Sequence, residues 1–308
     1  MSQACNLGES PRAELRSVAV PRQGVVLVTG GTNGIGRAVA LDLARAGDRV
    51  LFVGRDLERG AAVLAELSRF APSVRHAFLP ADLGLLSETA RVCREIKELT
   101  SELDAVVLCA GVLSIVPEWT AEDLERNFVL NYLSRFLMTR LLLPLLCAAR
   151  SGRIVLVSNA GKYPDTLNFD DLQHRHGKAG LAVSGRTQFA NDLLAVELAE
   201  RLRTTRIEVS CVFPGVTRSS CFASARGLPW LLRPLVRLLV TLFGQSTARA
   251  ALTPVALARE PSLRGTSGRF FGPGLKPIEV PERARSAERR SLLWHESEAL
   301  VRTAEDSP

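Results

Sequence analysis

The segment Val28-Thr29-Gly30-Gly31-Thr32-Asn33-Gly34-Ile35-Gly36 spaces Gly30, Gly34 and Gly36 as TGxxxGxG, after a β-branched run and before a helical periodicity. Glycine permits the sharp turn, lets the backbone approach a pyrophosphate, and lets the helix lie close to the strand. A pyrophosphate there meets the free N–H groups and positive dipole end of the helix. Thr29, Gly30, Asn33, Gly34, Ile35 and Gly36 are therefore candidate dinucleotide contacts. The next apolar run ends Val53-Gly54-Arg55, where an NAD site usually carries an acid for the ribose hydroxyls. The Arg55 guanidinium suits a 2′-phosphate, so NADP(H) is expected over NAD(H), with Asp56 the one feature against it.

A hydride moved to or from a C–O carbon needs a partner for the oxygen's proton. Residues 182–191, AVSGRTQFAN, offer Ser184 and Gln188 one helical turn apart. A serine hydroxyl without a base donates poorly and glutamine is neutral, although Gln188 can hydrogen-bond a ribose. Tyr163, with Lys162 beside it, is either a relocated acid or a wall aromatic. Asn159 can donate to a developing oxyanion or be a polar residue of a wet pocket. His174 and His176 titrate near neutrality, but without further acidic or thiol ligands they predict no metal site.

The elements that must position these groups alternate. Apolar runs at 24–30, 49–54, near 74–80, at 104–111, 153–158 and 207–215 are separated by helical patterns at 35–46, 57–70, around 90–99, at about 121–149 and at 183–203. Nearly charge-free strands between amphipathic helices predict an α/β fold, a doubly wound parallel sheet of the Rossmann type with helices on both faces. No linker divides the chain, which reads as one domain over 22–300 with tails at 1–21 and 301–308. Only 216–245 breaks the rhythm and is expected to be a helical lid insertion.

TGGTNGIG, Arg55, Asp82-Leu83, CAGV, Asn131 and PGVTRS occur in the order and at the spacings of the short-chain dehydrogenase/reductase family, which this chain resembles over about 22–300. NFDDL and SLLWHESEAL resemble its retinol-dehydrogenase-like subgroup. The resemblance implies an oxidoreductase in which Asp82 and Leu83 lie at the adenine, Ala110 and Gly111 beside the nicotinamide-side ribose, and Pro214, Gly215 and Ser219 at the carboxamide end. It also implies an Asn–Ser–Tyr–Lys relay. Asn131 occupies the first position, while Asn159, Ser184 and Gln188 stand at the other three, and no YxxxK occurs in the chain. Ser158 comes one residue early, which on a strand faces it away. The resemblance further implies a homodimer or homotetramer formed through the helices at 121–149 and 183–203.

Three functions remain open on these residues: an oxidoreductase with an unorthodox donor, a non-redox catalyst (dehydration, cyclisation or isomerisation), or a cofactor-binding pseudoenzyme. The apolar segment 228–243 suggests a hydrophobic small-molecule substrate beneath a lid, with membrane contact through Trp230, the leucines and the arginines as the alternative. The net charge of +7 is spread along the chain rather than clustered with base-reading residues, so no nucleic acid is expected. Six cysteines without a CxxC pair suit a reducing compartment, with the cytoplasm as the expectation.

Overall fold

The computed structural model describes residues 23–163, 167–218, 227, 231 and 233–305. Strands β1 (Val25–Thr29), β2 (Arg49–Gly54), β3 (Ala77–Pro80), β4 (Ala105–Leu108), β5 (Arg153–Val157), β6 (Glu208–Val212), β7 (Arg269–Phe271) and β8 (Pro277–Ile278) form one sheet in the order β3-β2-β1-β4-β5-β6-β7-β8. All neighbours pair in parallel except the terminal β7–β8 hairpin. In the central strands charge stands only at the entry, as Arg49, Arg153 and Glu208. The residues that follow must be apolar because helices cover both faces.

Helices α1 (Gly34–Arg45), α2 (Leu57–Phe70) and α7 (Thr247–Arg259) bury one face of the sheet. Helices α3 (Leu86–Leu99), α4 (Arg126–Ala148), α5 (Ala182–Arg201) and α9 (Ala287–Glu305) bury the other. The chain runs outward from β1 to β3 and then returns to β4 on the other side of β1. That reversal opens a crevice at the carboxyl ends of β1 and β4, the place where doubly wound sheets hold ligands.

Helix α4 begins at Arg126, later than the apolar pattern implies, because Glu125 caps it by accepting from the amides of Asn127 and Phe128. It is long and apolar enough to cross a membrane, yet 78% of its most apolar window is buried, which makes it a core helix. A π turn over Val129–Leu133 bulges it at Asn131. β7, β8, α7 and the short helix α8 (Glu282–Arg285) are elements the sequence pattern did not separate. Helix α6 (Arg233–Phe243) lies in the segment expected to be a lid.

The boundary expected at 300 falls inside α9, which continues to Glu305 with Val301 and Ala304 buried. This helix also packs against α4 and α5. Trp294 meets Phe136 edge-on at 4.8 Å, Tyr132 hydrogen-bonds Ser297 at 2.7 Å, and Arg290 pairs with Glu197 at 3.0 Å.

Candidate active site

The carboxyl ends of the central strands open into one cleft of about 770 Å³. Gly30, Asn33, Gly34, Ile35 and Gly36 line one end, and Leu83, Ala110 and Gly111 line its middle. Ser158, Asn159, Tyr163, Ser184, Gln188, Pro214 and Gly215 close the other. Thr29, Asp82 and Asn131 stand behind this wall rather than on it, and Ser219 falls outside the described residues.

At the glycine loop, Gly30 has φ +69°, and a Cβ there would lie 3.0 Å from the Ala110 Cα. A Cβ at Gly36 would lie 2.4 Å from the Gly30 carbonyl oxygen. Strand, loop and helix therefore meet backbone to backbone, the close approach a pyrophosphate cradle requires. Asn33 caps α1 through its own side chain, which accepts from Gly34 N–H at 2.8 Å.

Arg55 reaches this end from β2, and Arg59, one turn into α2, joins it on the cleft wall. The sequence reading passed over Arg59. Asp56 is occupied as the N-cap of α2, accepting from Arg59 N–H at 3.0 Å, with the Arg59 guanidinium 3.2 Å away. Asp82 is committed to the protein as well. Its Oδ2 accepts from Arg126 at 2.7 Å with Arg55 3.9 Å away, and its Oδ1 accepts from Gly84 N–H at 2.9 Å. Burial alone would raise this carboxyl, but the Arg126 hydrogen bond, the Gly84 amide and the two cations hold it below the usual range.

The wall after β4 is held by two side-chain clasps. Asn131 accepts from Val112 N–H at 2.8 Å and donates to the Val112 carbonyl at 3.0 Å. Ser184 repeats the pattern two residues on, accepting from Ser114 N–H at 2.9 Å and donating to its carbonyl at 2.7 Å. The Thr29 hydroxyl accepts from Ala110 N–H at 3.0 Å. The π turn frees the Asn131 carbonyl, which accepts from Asn191 Nδ2 at 2.9 Å.

Ser158 does not face away. β5 ends at Val157, so strict alternation no longer governs the next residue, and the Ser158 hydroxyl enters the cleft wall and donates to Gln188 Oε1 at 2.9 Å. Among the described residues no partner holds the Asn159 side chain, which also lines the cleft. Left-handed Ala160 and Gly161 turn the chain toward Tyr163, and Asp192 Oδ2 secures that turn by accepting from Gly161 N–H at 2.9 Å. Burial pushes the Asp192 carboxyl up to about 7. His174 and His176 lie away from the cleft, with His174 Nε2 3.0 Å from the Lys178 carbonyl oxygen. Among the described residues no cluster has the make-up of a metal site.

Arg135, one turn beyond Asn131, is the group sequence reasoning missed. It is buried at the cleft wall and donates to the Ala110 carbonyl at 2.8 Å and to Asn191 Oδ1 at 3.2 Å, while its Nε has no partner. Burial lowers its pKa to about 10, which still leaves it cationic at neutral pH. An arginine inside the apolar run RFLMTRLLL was the available signal.

The family profile for short chain dehydrogenases matches residues 24–169. Human retinol dehydrogenase 14 is 33% identical, an alignment that covers 90% of this chain and 85% of that protein. The chain belongs to the short chain dehydrogenase family. Mouse polyprenol dehydrogenase is also 33% identical, over 94% of this chain and 88% of its own length. In fold, this short chain dehydrogenase is similar to a protein from Mycobacterium paratuberculosis (TM-score 0.68, 24% identity, 91% of this chain and 94% of that one). It is likewise similar to a short chain dehydrogenase from Escherichia coli CFT073 complexed with NADPH (TM-score 0.63, 23% identity, 83% of this chain and 98% of that one).

Proposed function

We propose that this chain is an NADP(H)-dependent oxidoreductase that interconverts an alcohol and a carbonyl on a hydrophobic small molecule, without the family's usual Ser–Tyr–Lys relay. The observation that carries the reading is one cleft that joins the glycine loop and Arg55 to Ser158, Asn159 and Tyr163. The retinol and polyprenol dehydrogenases among its relatives support the substrate class.

When bound, NADPH supplies the hydride, and the chain must place the substrate oxygen and provide its proton. The loop from Gly30 to Gly36 would hold the pyrophosphate, and Arg55 and Arg59, on the same cleft wall, would pair with the 2′-phosphate. The Asn159 amide donates to the substrate oxygen as charge develops there. Tyr163, with Lys162 adjacent in sequence, gives that oxygen its proton. Arg135 contributes a fixed positive charge behind Ala110.

A second reading has its own support. The Ser184 hydroxyl is engaged as both donor and acceptor by Ser114, and Gln188 Oε1 is taken by Ser158. Neither offers a mobile proton, which favours a pocket that binds the cofactor for non-redox chemistry or signalling. Nicotinamide fluorescence on titration, followed by NADPH oxidation against hydrophobic ketones, aldehydes and quinones, separates the two. Turnover that falls by about 10² or more in Tyr163→Phe supports the oxidoreductase. Tight NADPH binding with no turnover on any carbonyl supports the second reading.

A further inference from the structure

Helix α6 carries an apolar stripe on its outer side. Leu235, Leu238, Leu239 and Leu242 follow the i, i+3, i+4, i+7 spacing of one helix face, and with Phe243 they are between 45% and 78% exposed. Val236 and Val240, on the other side, are half-buried. None of the described residues of α6 lines the cleft. The helix of the expected lid segment presents its leucines to the outside. A contiguous apolar face of this size on a soluble surface marks a docking site.

The charge around the stripe selects the occupant. Between Glu208 and Glu260 the chain has six arginines, no lysine and no acidic residue. Exposed Arg233 opens α6, and exposed Arg218 stands at its other end, its Nε donating to the Gly244 carbonyl at 2.7 Å just past the last turn. Exposed leucines flanked by arginines match an acyl layer beneath anionic headgroups.

The helix is also continuous with the cleft rim. Val216 lines the cleft and is exposed; Gln245 N–H donates to its carbonyl at 2.9 Å, and Arg218 N–H donates to the Gln245 carbonyl at 2.9 Å. Gln245 Nε2 also donates to the Pro214 carbonyl. A surface that seats α6 therefore lies against the mouth of the cleft.

We propose that α6 docks the protein onto a lipid bilayer bearing anionic headgroups, so that a membrane-dissolved substrate enters from the lipid. The docking geometry stands on the helix alone, while its purpose rests on the hydrophobic-substrate reading above. The test is flotation of the full chain with vesicles of phosphatidylcholine, with and without about 30 mol% phosphatidylserine. Wild type is expected to float with the anionic vesicles and to be released as salt rises. Leu238→Asp with Leu242→Asp is expected to lose about tenfold in vesicle binding, with melting temperature and NADPH affinity unchanged. Arg233→Glu keeps the stripe and is expected to weaken anionic binding alone.

Wild type that stays with the soluble fraction in both preparations overturns the proposal, as does a double variant that floats like wild type. Light scattering that shows a dimer broken by the double variant, with no vesicle binding, assigns the stripe to a second copy instead. NADPH affinity and turnover of a short water-soluble carbonyl are measured without vesicles. Failure there with flotation intact rejects the oxidoreductase reading and leaves the docking surface standing.

Discussion

The Ser184 hydroxyl closes a two-bond clasp on the backbone of Ser114, 70 residues away, donating at 2.7 Å and accepting at 2.9 Å. The hydroxyl is thereby spent on fixing the cleft wall. Ser184→Ala leaves a buried N–H and C=O without their partner, which costs about 1–3 kcal/mol. Urea unfolding should show that loss, and NADPH titration should show weaker binding as the wall from Ala110 to Ser114 loosens. Unchanged values in both would make the clasp incidental.

Restoring the relay requires all its members together. Ser184→Tyr with Gln188→Lys and Asn159→Ser is expected to raise NADPH-dependent reduction of hydrophobic ketones, by up to roughly 10²- to 10⁴-fold for a tuned acid. Neither Ser184→Tyr nor Gln188→Lys alone should do so, because an untuned phenol and an unpartnered ammonium each lack the other. A native protein that already turns over faster than the triple variant would show a rebuilt site, with Tyr163 the residue to examine.

Arg55 is exposed at the end of β2 and is held only loosely by Asp82, at 3.9 Å. Arg55→Ala should weaken NADPH by about 1.5–3 kcal/mol, the range for a charged hydrogen bond, and leave NADH nearly unchanged. Isothermal titration with both cofactors measures this; equal affinities in the wild type would remove the phosphate-recognition role.

Asp192 links pH to stability. Its carboxyl titrates near 3.8 when unperturbed and at about 7 in the fold, where burial favours the protonated form. A group raised in this way contributes stability that is full below the unfolded pKa and is lost as pH rises through the folded one. Asp192→Asn removes the titration. Its melting temperature relative to wild type should climb between pH 4 and 7, by up to about 1.4 kcal/mol of stability per pH unit. A constant difference across that range would show that the carboxyl does not titrate there.

Arg186 and Glu125 form a fully buried ion pair that joins α5 to the start of α4. Removing one charge strands the other, so Glu125→Gln should destabilise the protein by about 3–5 kcal/mol. Glu125→Gln with Arg186→Met should recover part of that loss in chemical denaturation. A double variant as unstable as the sum of the singles would show that the two side chains do not couple.

The alternation of charge-free runs with amphipathic helices, and the glycines between the first strand and helix, were enough to determine the doubly wound sheet and the glycine loop at the carboxyl end of its first strand. These signals are local: a strand covered on both faces must be apolar along its length, and a backbone-to-backbone contact admits only glycine. Tertiary structure alone decided how the remaining side chains are spent. Ser158 enters the cleft because β5 stops one residue earlier, and Ser184 is bound to Ser114 because α5 crosses the loop after β4. Arg135 is buried against the Ala110 carbonyl and the Asn191 side chain, and α9 packs against α4 and α5. α6 turns its leucines outward although its sequence suits an inward face equally well. Each of these depends on which distant segment arrives beside a residue. Periodicity along a chain specifies which face is apolar but carries no information about which surface that face will meet.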